Sequence, residues 1–229
     1  KELLNVPLQN ITRRGKYLLL HVPTGSMLWH LGMSGRVTQR HSAKPMEKHT
    51  HAVFRFRPDT FLHFIAPRRF GCILWVERDG EHPLLNHLGL EPLVAETTAE
   101  ALNEKAHKRK TPVKSFIMDS RRIVGVGNIY ACESLFGAGI NPMRPVGKLT
   151  LSDWKRLLGS LRQTLKNSIA SGGTTLRDFY NTDGAAGYYA LSLAVYGREK
   201  EPCSKCGSAI VRAAQSGRST FYCRICQRK

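Results

Sequence analysis

The polypeptide has 229 residues, of which 41% are hydrophobic, so it is long enough to bury the core of one large domain or two modest ones. Its 35 lysines and arginines exceed its 17 aspartates and glutamates, and the resulting net charge of +18 favours a polyanionic partner, with nucleic acid ahead of an anionic membrane surface. No apolar run approaches the ~20 residues that span a bilayer, and Lys1-Glu2-Leu3-Leu4 leads into polar sequence rather than an apolar leader, so we expect a cytoplasmic protein, nucleoid-associated in a bacterium, rather than a membrane protein.

Residues 1–92 have the pattern of β-strands. Short segments rich in aromatic and branched residues are separated by turn residues such as Pro23-Thr24-Gly25 and Pro58-Asp59. The predicted strands cover 17–22, 26–31, 52–57, 60–65 and 72–77. This pattern predicts an antiparallel sandwich or barrel.

Residues 93–192 have helical signals. Thr97 and Glu100 form a capping-box pattern that opens a helix running to about Lys108, and Thr111 is a predicted N-cap followed by proline. A short helix over 128–136 is predicted to end at Gly137 and Gly139. A longer helix stops at Gly172-Gly173, and its apolar face is predicted to hold Leu157, Leu158, Leu161, Leu165 and Ile169.

The cysteines predict a metal site in the last part of the chain, residues 193–229. Four of the six form two Cys-x-x-Cys pairs separated by 16 residues: Cys203, Cys206, Cys223 and Cys226. In a reducing compartment this spacing is typical of one tetrahedral zinc ion in a ribbon, because each tight turn directs two thiolates at the metal. Two redox dithiols are the alternative, but the βαβ pattern that they need is absent from the sequence. Cys72 and Cys132 lie in apolar contexts and are predicted to be buried thiols.

A basic run lies early in the helical region. Residues 105–114 hold five cations together with His107. Such a run alone fits a solvated helix face as well as it fits a nucleic-acid contact. Beside a zinc ribbon and a net charge of +18, a surface that follows phosphates is the better interpretation.

Six sequence features occur in an order that identifies a family. They are Arg13-Arg14-Gly15-Lys16-Tyr17-Leu18-Leu19-Leu20, His30-Leu31-Gly32-Met33-Ser34-Gly35, Pro67-Arg68-Arg69-Phe70-Gly71, Val124-Gly125-Val126-Gly127-Asn128-Ile129-Tyr130-Ala131, Gly172-Gly173-Thr174-Thr175-Leu176 and the four-cysteine ribbon. Together they resemble the formamidopyrimidine-DNA glycosylases, and the resemblance covers essentially the whole chain. Each fragment is weak alone, but six in the right order are specific.

The resemblance implies a multi-domain α+β fold: an N-terminal antiparallel β-sandwich, a helix–two-turn–helix module and a C-terminal zinc ribbon hairpin. It implies base-excision repair, in which oxidised purines such as 8-oxoguanine and formamidopyrimidines are removed from duplex DNA and the abasic site is then cut by β,δ-elimination. The implied partner is double-stranded DNA that carries such lesions or abasic sites, and the expected oligomeric state is a monomer. One structural zinc ion per chain is the implied cofactor.

An enzyme that acts on a base inside a duplex must evict that base and fill the hole that is left. Met33 offers a flexible apolar filler, Arg68 a cation for the orphaned partner base, and Phe70 a flat ring; these match the family's void-filling positions. A core position is the alternative for Met33 and Phe70. The glycines beside Met33 and the arginines before Phe70 favour exposed turns instead.

The resemblance also implies catalytic and phosphate-binding residues. Lys16 matches a lysine linked to β-elimination, although the pattern alone fits an ordinary edge-strand lysine. Arg218 matches the residue that holds the lesion phosphates and is linked to δ-elimination. The matched DNA contacts are His49, Arg109, Lys114 and Asn128. The segment from Thr174 to Tyr189 resembles one that closes over the flipped base.

Two departures from the family pattern bear on activity. The family begins with Pro-Glu-Leu-Pro-Glu and uses the proline amine as nucleophile, whereas Lys1-Glu2-Leu3-Leu4 aligns inside the first domain. We therefore expect the 229 residues as they stand to bind DNA without excising 8-oxoguanine. Ala66 replaces the usual aspartate before Pro67, which is expected to loosen the hold on Arg68. An endonuclease VIII-type enzyme for oxidised pyrimidines, a non-catalytic damaged-DNA-binding module and, more distantly, an RNA-binding zinc ribbon are the alternatives.

Overall fold

A computed structural model describes residues 3–77, 82–173 and 192–228 of the chain. These residues divide into two compact units, one within Lys1–Asn86 and Ser168–Leu191 and the other within His87–Asn167 and Ser192–Lys229. The architecture predicted from the sequence is confirmed, with antiparallel sheets first, helices next and a hairpin last. The boundaries of the three predicted domains stay a prediction.

The first unit contains two antiparallel sheets. Its strands are β1 (Asn10–Arg14), β2 (Tyr17–Val22), β3 (Gly25–His30), β4 (Arg36–Arg40), β5 (Thr50–Arg57), β6 (Thr60–Ile65) and β7 (Cys72–Glu77). The strand order is β1-β2-β3-β7 in one sheet and β4-β6-β5 in the other. Trp29 of β3 joins the sheets, because its ring lies 4.9 Å from the ring of Phe54 and 5.9 Å from that of Phe64. The sandwich predicted from the alternation of apolar residues is therefore built around one aromatic cluster.

The second unit is helical before it becomes a hairpin. Its elements, with a short helix that precedes them in the first unit, are α1 (Pro83–Asn86), α2 (Ala99–Ala106), α3 (Val113–Met118), α4 (Asn128–Ala138), a 3-10 turn (Val146–Lys148), α5 (Leu151–Ala170, whose last residues belong to the first unit), β8 (Val211–Gln215) and β9 (Arg218–Tyr222). Trp154 of α5 is fully buried and packs edge-on against Phe116 of α3, with 5.8 Å between ring centroids. The main helical core forms around this pair.

Two helix starts differ from the predicted ones by a single residue. Thr98, not Thr97, caps α2, since its hydroxyl accepts the N–H of Ala101 at 3.2 Å. The Thr97 hydroxyl instead donates to the carbonyl of Glu91 at 2.6 Å, a contact outside the helix. At α3 the cap residue is Pro112, without a side-chain hydrogen bond, so the predicted cap at Thr111 is wrong.

Two predictions about helix ends and faces are also corrected. The helix α4 runs through Gly137 and ends at Gly139, whose φ of 69° supplies the left-handed turn that glycine adopts readily. Ile169 is 65% exposed, although the four leucines predicted to share its face of α5 are buried. The core cluster along α5 ends at Leu165, one turn before Ile169.

Candidate DNA interface and zinc site

The four predicted cysteine ligands come together at one point. Their sulfur atoms all lie within 4.8 Å of one another, with 3.8 Å between Cys203 and Cys226 and 3.5 Å between Cys206 and Cys223. A tetrahedral zinc ion with Zn–S bonds of ~2.3 Å requires sulfur–sulfur separations of roughly 3.8 Å. The spacing fits one zinc ion held by four thiolates, and no disulfide joins the cysteines of the described residues.

Each pair of cysteines lies on a tight turn fixed by the backbone. In the first turn, the N–H of Gly207 donates to the carbonyl of Cys203 at 2.9 Å, and Gly207 has a φ of 73°. Hydrogen bonds from Ser208 lower the pKa of Cys206 to about 6, which favours the thiolate form that binds a metal. Burial, together with the neighbouring cysteines, raises the pKa of Cys226 to about 12, so without zinc these thiols do not ionise together.

The zinc ribbon shares a core with α4. Cys132 and Phe136 of α4 pack in one cluster with Ile210, Phe221 and the metal ligands Cys203 and Cys223. The predicted burial of Cys132 is therefore correct, since it has 0% exposure. Cys72, predicted to be buried as well, is only partly buried on β7.

Gln227 adds polar bonds to this core. It is fully buried, and its amide donates to the carbonyl of Ile140 at 2.9 Å. Its side-chain oxygen accepts the N–H of Cys223 at 2.9 Å. The second cysteine turn is thus attached directly to the residues that follow α4.

Arg218 lies at the tip of the hairpin, as the sequence predicts. Strands β8 and β9 pair from Val211 with Tyr222 to Gln215 with Arg218, which leaves a two-residue turn. The turn residues Ser216 and Gly217 have φ values of 49° and 71°, the combination of a tight hairpin turn. The Arg218 side chain is exposed, and it borders a cleft of about 240 Å³ whose walls also include Lys114 and Asp119.

Two predicted DNA contacts converge on the carbonyl oxygen of Ser219. Lys114 of α3 donates to it at 3.2 Å, and the side-chain amide of Asn128, at the start of α4, donates to it at 2.9 Å. Lys114 is only 2% exposed. The structure therefore brings Lys114, Asn128 and Arg218 together. The side chains of Lys114 and Asn128 are bonded to the hairpin, whereas that of Arg218 is exposed. Their predicted contacts with DNA stay predictions.

The basic run does not form one face. The side chains of Lys105, Lys108, Arg109 and Lys110 are exposed, whereas Lys114 is buried. The Arg109 guanidinium donates to the carbonyl of Lys105 at 2.8 Å, which holds it against the end of α2. Four of the five cations are therefore available to a phosphate backbone, and Arg109 is the one of the four whose side chain is held in place.

In the first unit, Met33 stands on a turn that only glycines permit. Gly32 has a φ of 66°, and a Cβ there would lie 2.6–2.8 Å from the backbone of Phe70 and Gly71. A Cβ on Gly35 would lie 2.1 Å from the carbonyl oxygen of Leu31. Met33 is 57% exposed and Phe70 61%, so neither is a core residue. The glycines bring the Met33 and Phe70 turns into direct contact.

Arg68 is held by a partner that the sequence did not indicate. Its Nε donates to the hydroxyl of Ser34 at 2.9 Å, and Ser34 is buried on the Met33 turn. Ala66, where the family usually has aspartate, is also buried. The expected loosening of Arg68 stays a prediction, but Ser34 supplies one hydrogen bond that the alanine lacks.

Lys16 and His49 lie at two further points of the first unit. Lys16 is exposed in the β1–β2 turn, and its charge acts on His30. Burial, followed by this charge, lowers the pKa of His30 below its ordinary value, so the ring is neutral near pH 7. His49 has a φ of 68°, and its carbonyl accepts the N–H of Ala66 at 3.1 Å, which ties it to the segment that carries Arg68 and Phe70.

Three residues near the site escaped the sequence reasoning. Glu133 is buried, and its carboxylate accepts the backbone N–H groups of Ala194, Val195 and Tyr196 at 2.8–3.0 Å. Tyr196 then accepts the Asn128 amide at 3.4 Å and packs on Phe221. An acid inside the apolar sequence of α4 was a usable signal for a buried carboxylate. The buried Thr220, which accepts a bond from Lys114, gave none.

The segment from Thr174 to Tyr189, predicted to close over a flipped base, lies outside the described residues. Among the described residues, no helix is long and apolar enough to cross a membrane.

Three family models match the chain in succession. The formamidopyrimidine-DNA glycosylase N-terminal domain matches residues 1–73, its H2TH domain matches residues 88–180, and the zinc finger found in FPG and IleRS matches residues 200–228.

Whole proteins match as well. The formamidopyrimidine-DNA glycosylase of Acidithiobacillus ferrooxidans (strain ATCC 53993 / BNL-5-31) is 51% identical over 221 residues, which are 96% of this chain and 82% of that protein. The Salmonella arizonae enzyme of the same name is 46% identical over 99% of this chain and 84% of its own length.

Solved structures agree with these matches. Lactococcus lactis Fpg in complex with abasic-site DNA aligns with a TM-score of 0.92 and 32% identity over 100% of this chain and 84% of that one. The MutM (Fpg) protein from Thermus thermophilus aligns with a TM-score of 0.87 and 37% identity over 97% of this chain and 83% of that one. The chain therefore belongs to the formamidopyrimidine-DNA glycosylase family.

Proposed function

We propose that this protein acts in base-excision repair, as a DNA glycosylase that releases oxidised purines from duplex DNA and a lyase that cuts the abasic site. The observation that carries the proposal is the exposed pair of Met33 and Phe70, fixed on adjoining turns with Arg68 beside them. A lone exposed apolar residue is ordinary, but two on a rigid support beside a cation have the chemistry needed to fill the gap left by an evicted base.

Related structures support purines as the substrate class. Complexes of Lactococcus lactis Fpg hold DNA containing Fapy-dG, and a MutM complex holds carbocyclic 8-oxo-G. Both lesions are oxidised purines. The relatives are bacterial proteins, so the location that we propose is the bacterial cytoplasm, at the nucleoid.

The proposed roles follow the chemistry of each side chain. Exposed Lys16 and Arg218 act at the lesion: Lys16 in β-elimination, and Arg218 in holding the phosphates through δ-elimination. Three hydrogen-bond donors are proposed to position the DNA backbone, and these are His49, Arg109 and Asn128. Arg68 is proposed to contact the orphaned partner base, and Lys114 to act on the DNA through the hairpin to which it is bonded. The three functional parts proposed are a sandwich over 1–92, a helical module over 93–192 and a ribbon over 193–229.

Base release from defined duplexes tests the function. In a protein that carries the family's N-terminal proline ahead of these residues, we expect release from a duplex with 8-oxoguanine to exceed release from one with thymine glycol, and an intact guanine duplex to give none. The 229 residues as they stand are expected to bind these duplexes without releasing a base. Preference for thymine glycol would instead assign the endonuclease VIII-type activity, and binding without release from any lesion would assign a non-catalytic module.

Borohydride trapping of the covalent imine, repeated with Lys16→Ala, identifies the attacking amine: loss of trapping in the variant would make Lys16 the nucleophile.

A second test concerns the void-filling side chains. Met33→Ala and Phe70→Ala should each weaken binding to abasic-site DNA roughly tenfold, since one stacking contact with a base is worth ~1–3 kcal/mol. Binding to an intact duplex should change much less, because only the extruded complex has a hole to fill. The dissociation constants are measured on matched duplexes with and without the abasic site.

Met46→Ala is the matched control for this test, because Met46 is 60% exposed but lies in the β4–β5 loop and belongs to neither the Met33 turn nor the Phe70 turn. It should leave the preference for abasic DNA unchanged. Equal losses on both duplexes for Met33→Ala and Phe70→Ala would show that these side chains have no lesion-specific role.

A further inference from the structure

Lys114 is a buried ammonium that has no ion-pair partner among the described residues. It is 2% exposed, and within the described ranges no carboxylate lies at ion-pair distance from it. Its Nζ donates to the hydroxyl of Thr220 at 2.7 Å and to the carbonyl of Ser219 at 3.2 Å. A buried charge is unfavourable unless hydrogen bonds satisfy it, so a lysine in this place must stabilise something specific. What it stabilises is strand β9.

Thr220 links Lys114 to β8, the other strand of the hairpin, by a hydrogen bond. The Thr220 side chain is fully buried, and its hydroxyl donates to Gln215 Oε1 at 3.2 Å. The Gln215 amide in turn donates to the carbonyl of Pro142 at 3.2 Å. Because Gln215 pairs directly with Arg218, the chain of bonds from Lys114 closes around the turn that presents Arg218.

A second contact fixes the same turn from outside. The hydroxyls of Ser115, next to Lys114, and Ser216, in the turn, lie 3.2 Å apart. Helix α3 therefore holds the hairpin tip through two successive residues. The guanidinium of Arg218 remains exposed. The carbonyl of the next residue, Ser219, accepts hydrogen bonds from both Lys114 and Asn128, which fixes the backbone that carries Arg218.

We propose that Lys114 is a positioning residue: it fixes the Ser219 carbonyl and the Thr220 hydroxyl so that Arg218 is presented to the DNA phosphate, and it does not itself bind phosphate. This inference rests on the proposed function, in which Arg218 holds the lesion phosphates. Burial, and to a smaller extent the charge of Arg218, lower the pKa of Lys114, which agrees with two cations lying close together. Their repulsion favours an outward guanidinium.

A double-mutant cycle on abasic-site DNA tests the proposal. Arg218→Ala should weaken binding roughly tenfold or more, as expected for a charge-assisted bond of ~1.5–3 kcal/mol. Lys114→Met, which keeps the length of the stem but removes the donors, should weaken binding to a similar degree. The double variant should bind within about twofold of Arg218→Ala, because independent effects multiply whereas effects through one group do not. Lys166→Met, which removes an exposed lysine of α5, controls for charge and should bind like the wild type.

The salt dependence separates positioning from direct contact. In the double variant the slope of log affinity against log salt should fall by about one unit, the loss of Arg218 alone. A fall of about two units, with losses that multiply, would mean that Lys114 binds phosphate directly and would overturn the proposal. Unchanged affinity for Lys114→Met would overturn it too, since Arg218 would then need no support.

Thr220 gives an independent arm in case Lys114→Met does not fold. Thr220→Val keeps the shape but removes the hydroxyl, and should weaken binding as Lys114→Met does; Thr220→Ser restores the hydroxyl and should recover most of it. Equal binding by the two Thr220 variants would contradict the proposal. Wild-type protein that fails to bind abasic DNA would instead contradict the proposed function, so the two failures are distinguishable.

Discussion

Cys206→Ala is expected to unfold the ribbon over residues 193–229 and to weaken DNA binding by on the order of 10²-fold, because the Arg218 contact with phosphate, a charge-assisted bond worth ~1.5–3 kcal/mol, is lost. Asn128 at the same time loses the hairpin carbonyl that positions its side chain. Structural zinc supplies an apparent ~10–16 kcal/mol of folding free energy in zinc-finger peptides, which is more than a short two-stranded hairpin can replace. Three remaining thiolates cannot complete the tetrahedron. Zinc content, protease sensitivity of the ribbon and the dissociation constant for abasic-site DNA measure the three effects.

The damage should extend into the helical module. Phe136 of α4 and Phe221 of β9 belong to one core cluster, and Gln227 bonds to the carbonyl of Ile140 after α4. Loss of the ribbon exposes this side of α4, so the midpoint of thermal unfolding of the whole second unit should fall. Removal of zinc by a chelator from the wild type should reproduce both results, and added zinc should reverse them.

Cys72→Ala is the matched control, because Cys72 lies in β7 and is not among the clustered cysteines. It should retain one zinc per chain and wild-type affinity. Reduced, purified protein without zinc, or Cys206→Ala with a full complement of zinc and an intact ribbon, would refute the assignment of the metal site.

The sequence predicts the structure best where the pattern that indicates an element lies within that element. Strands β2, β6 and β7 begin and end at the predicted residues, since apolar and polar positions alternate and turn residues bound them. Strands β1 and β4 were missed because each holds a single apolar residue among polar and basic ones, as in Arg36–Arg40. One apolar residue cannot show an alternation, whereas the edge strands β5 and β7 carry several and were predicted.

The residues of the site likewise fall into those that a local sequence pattern predicts and those that it does not. The cysteine ligands were predictable because each pair lies on one turn, and the Met33 turn because glycines mark it. The bond from Lys114 to Thr220 joins residues 106 positions apart, and no local pattern shows such a contact. Lys114 stands in a run of exposed cations, so the sequence indicates a surface residue where the fold has a buried one. The difference came from packing of α3 against the hairpin.

The affinity for duplex DNA should fall steeply with salt, on the order of 10³-fold between 50 and 200 mM for about six phosphate contacts. Cations that neutralise phosphates release condensed counterions, and raising the salt concentration removes that gain. The exposed Lys105, Lys108, Arg109 and Lys110 in and after α2, with Arg218 at the hairpin tip, provide five of these charges. Fluorescence anisotropy of a labelled duplex across this range gives the slope.

Arg218→Ala should lower that slope by about one unit, the loss of a single phosphate contact. Arg57→Ala removes the same charge from an exposed position on β5 to which no contact is assigned, so its slope should match the wild type. Equal changes for the two variants would mean that the long-range field of the +18 protein, and not a fixed contact, sets the slope. A flat dependence in the wild type would show that the basic surface serves something other than DNA. Because the hairpin tip is held against α3, Arg218 should make one fixed phosphate contact. We therefore expect the slope to fall in Arg218→Ala and not in Arg57→Ala.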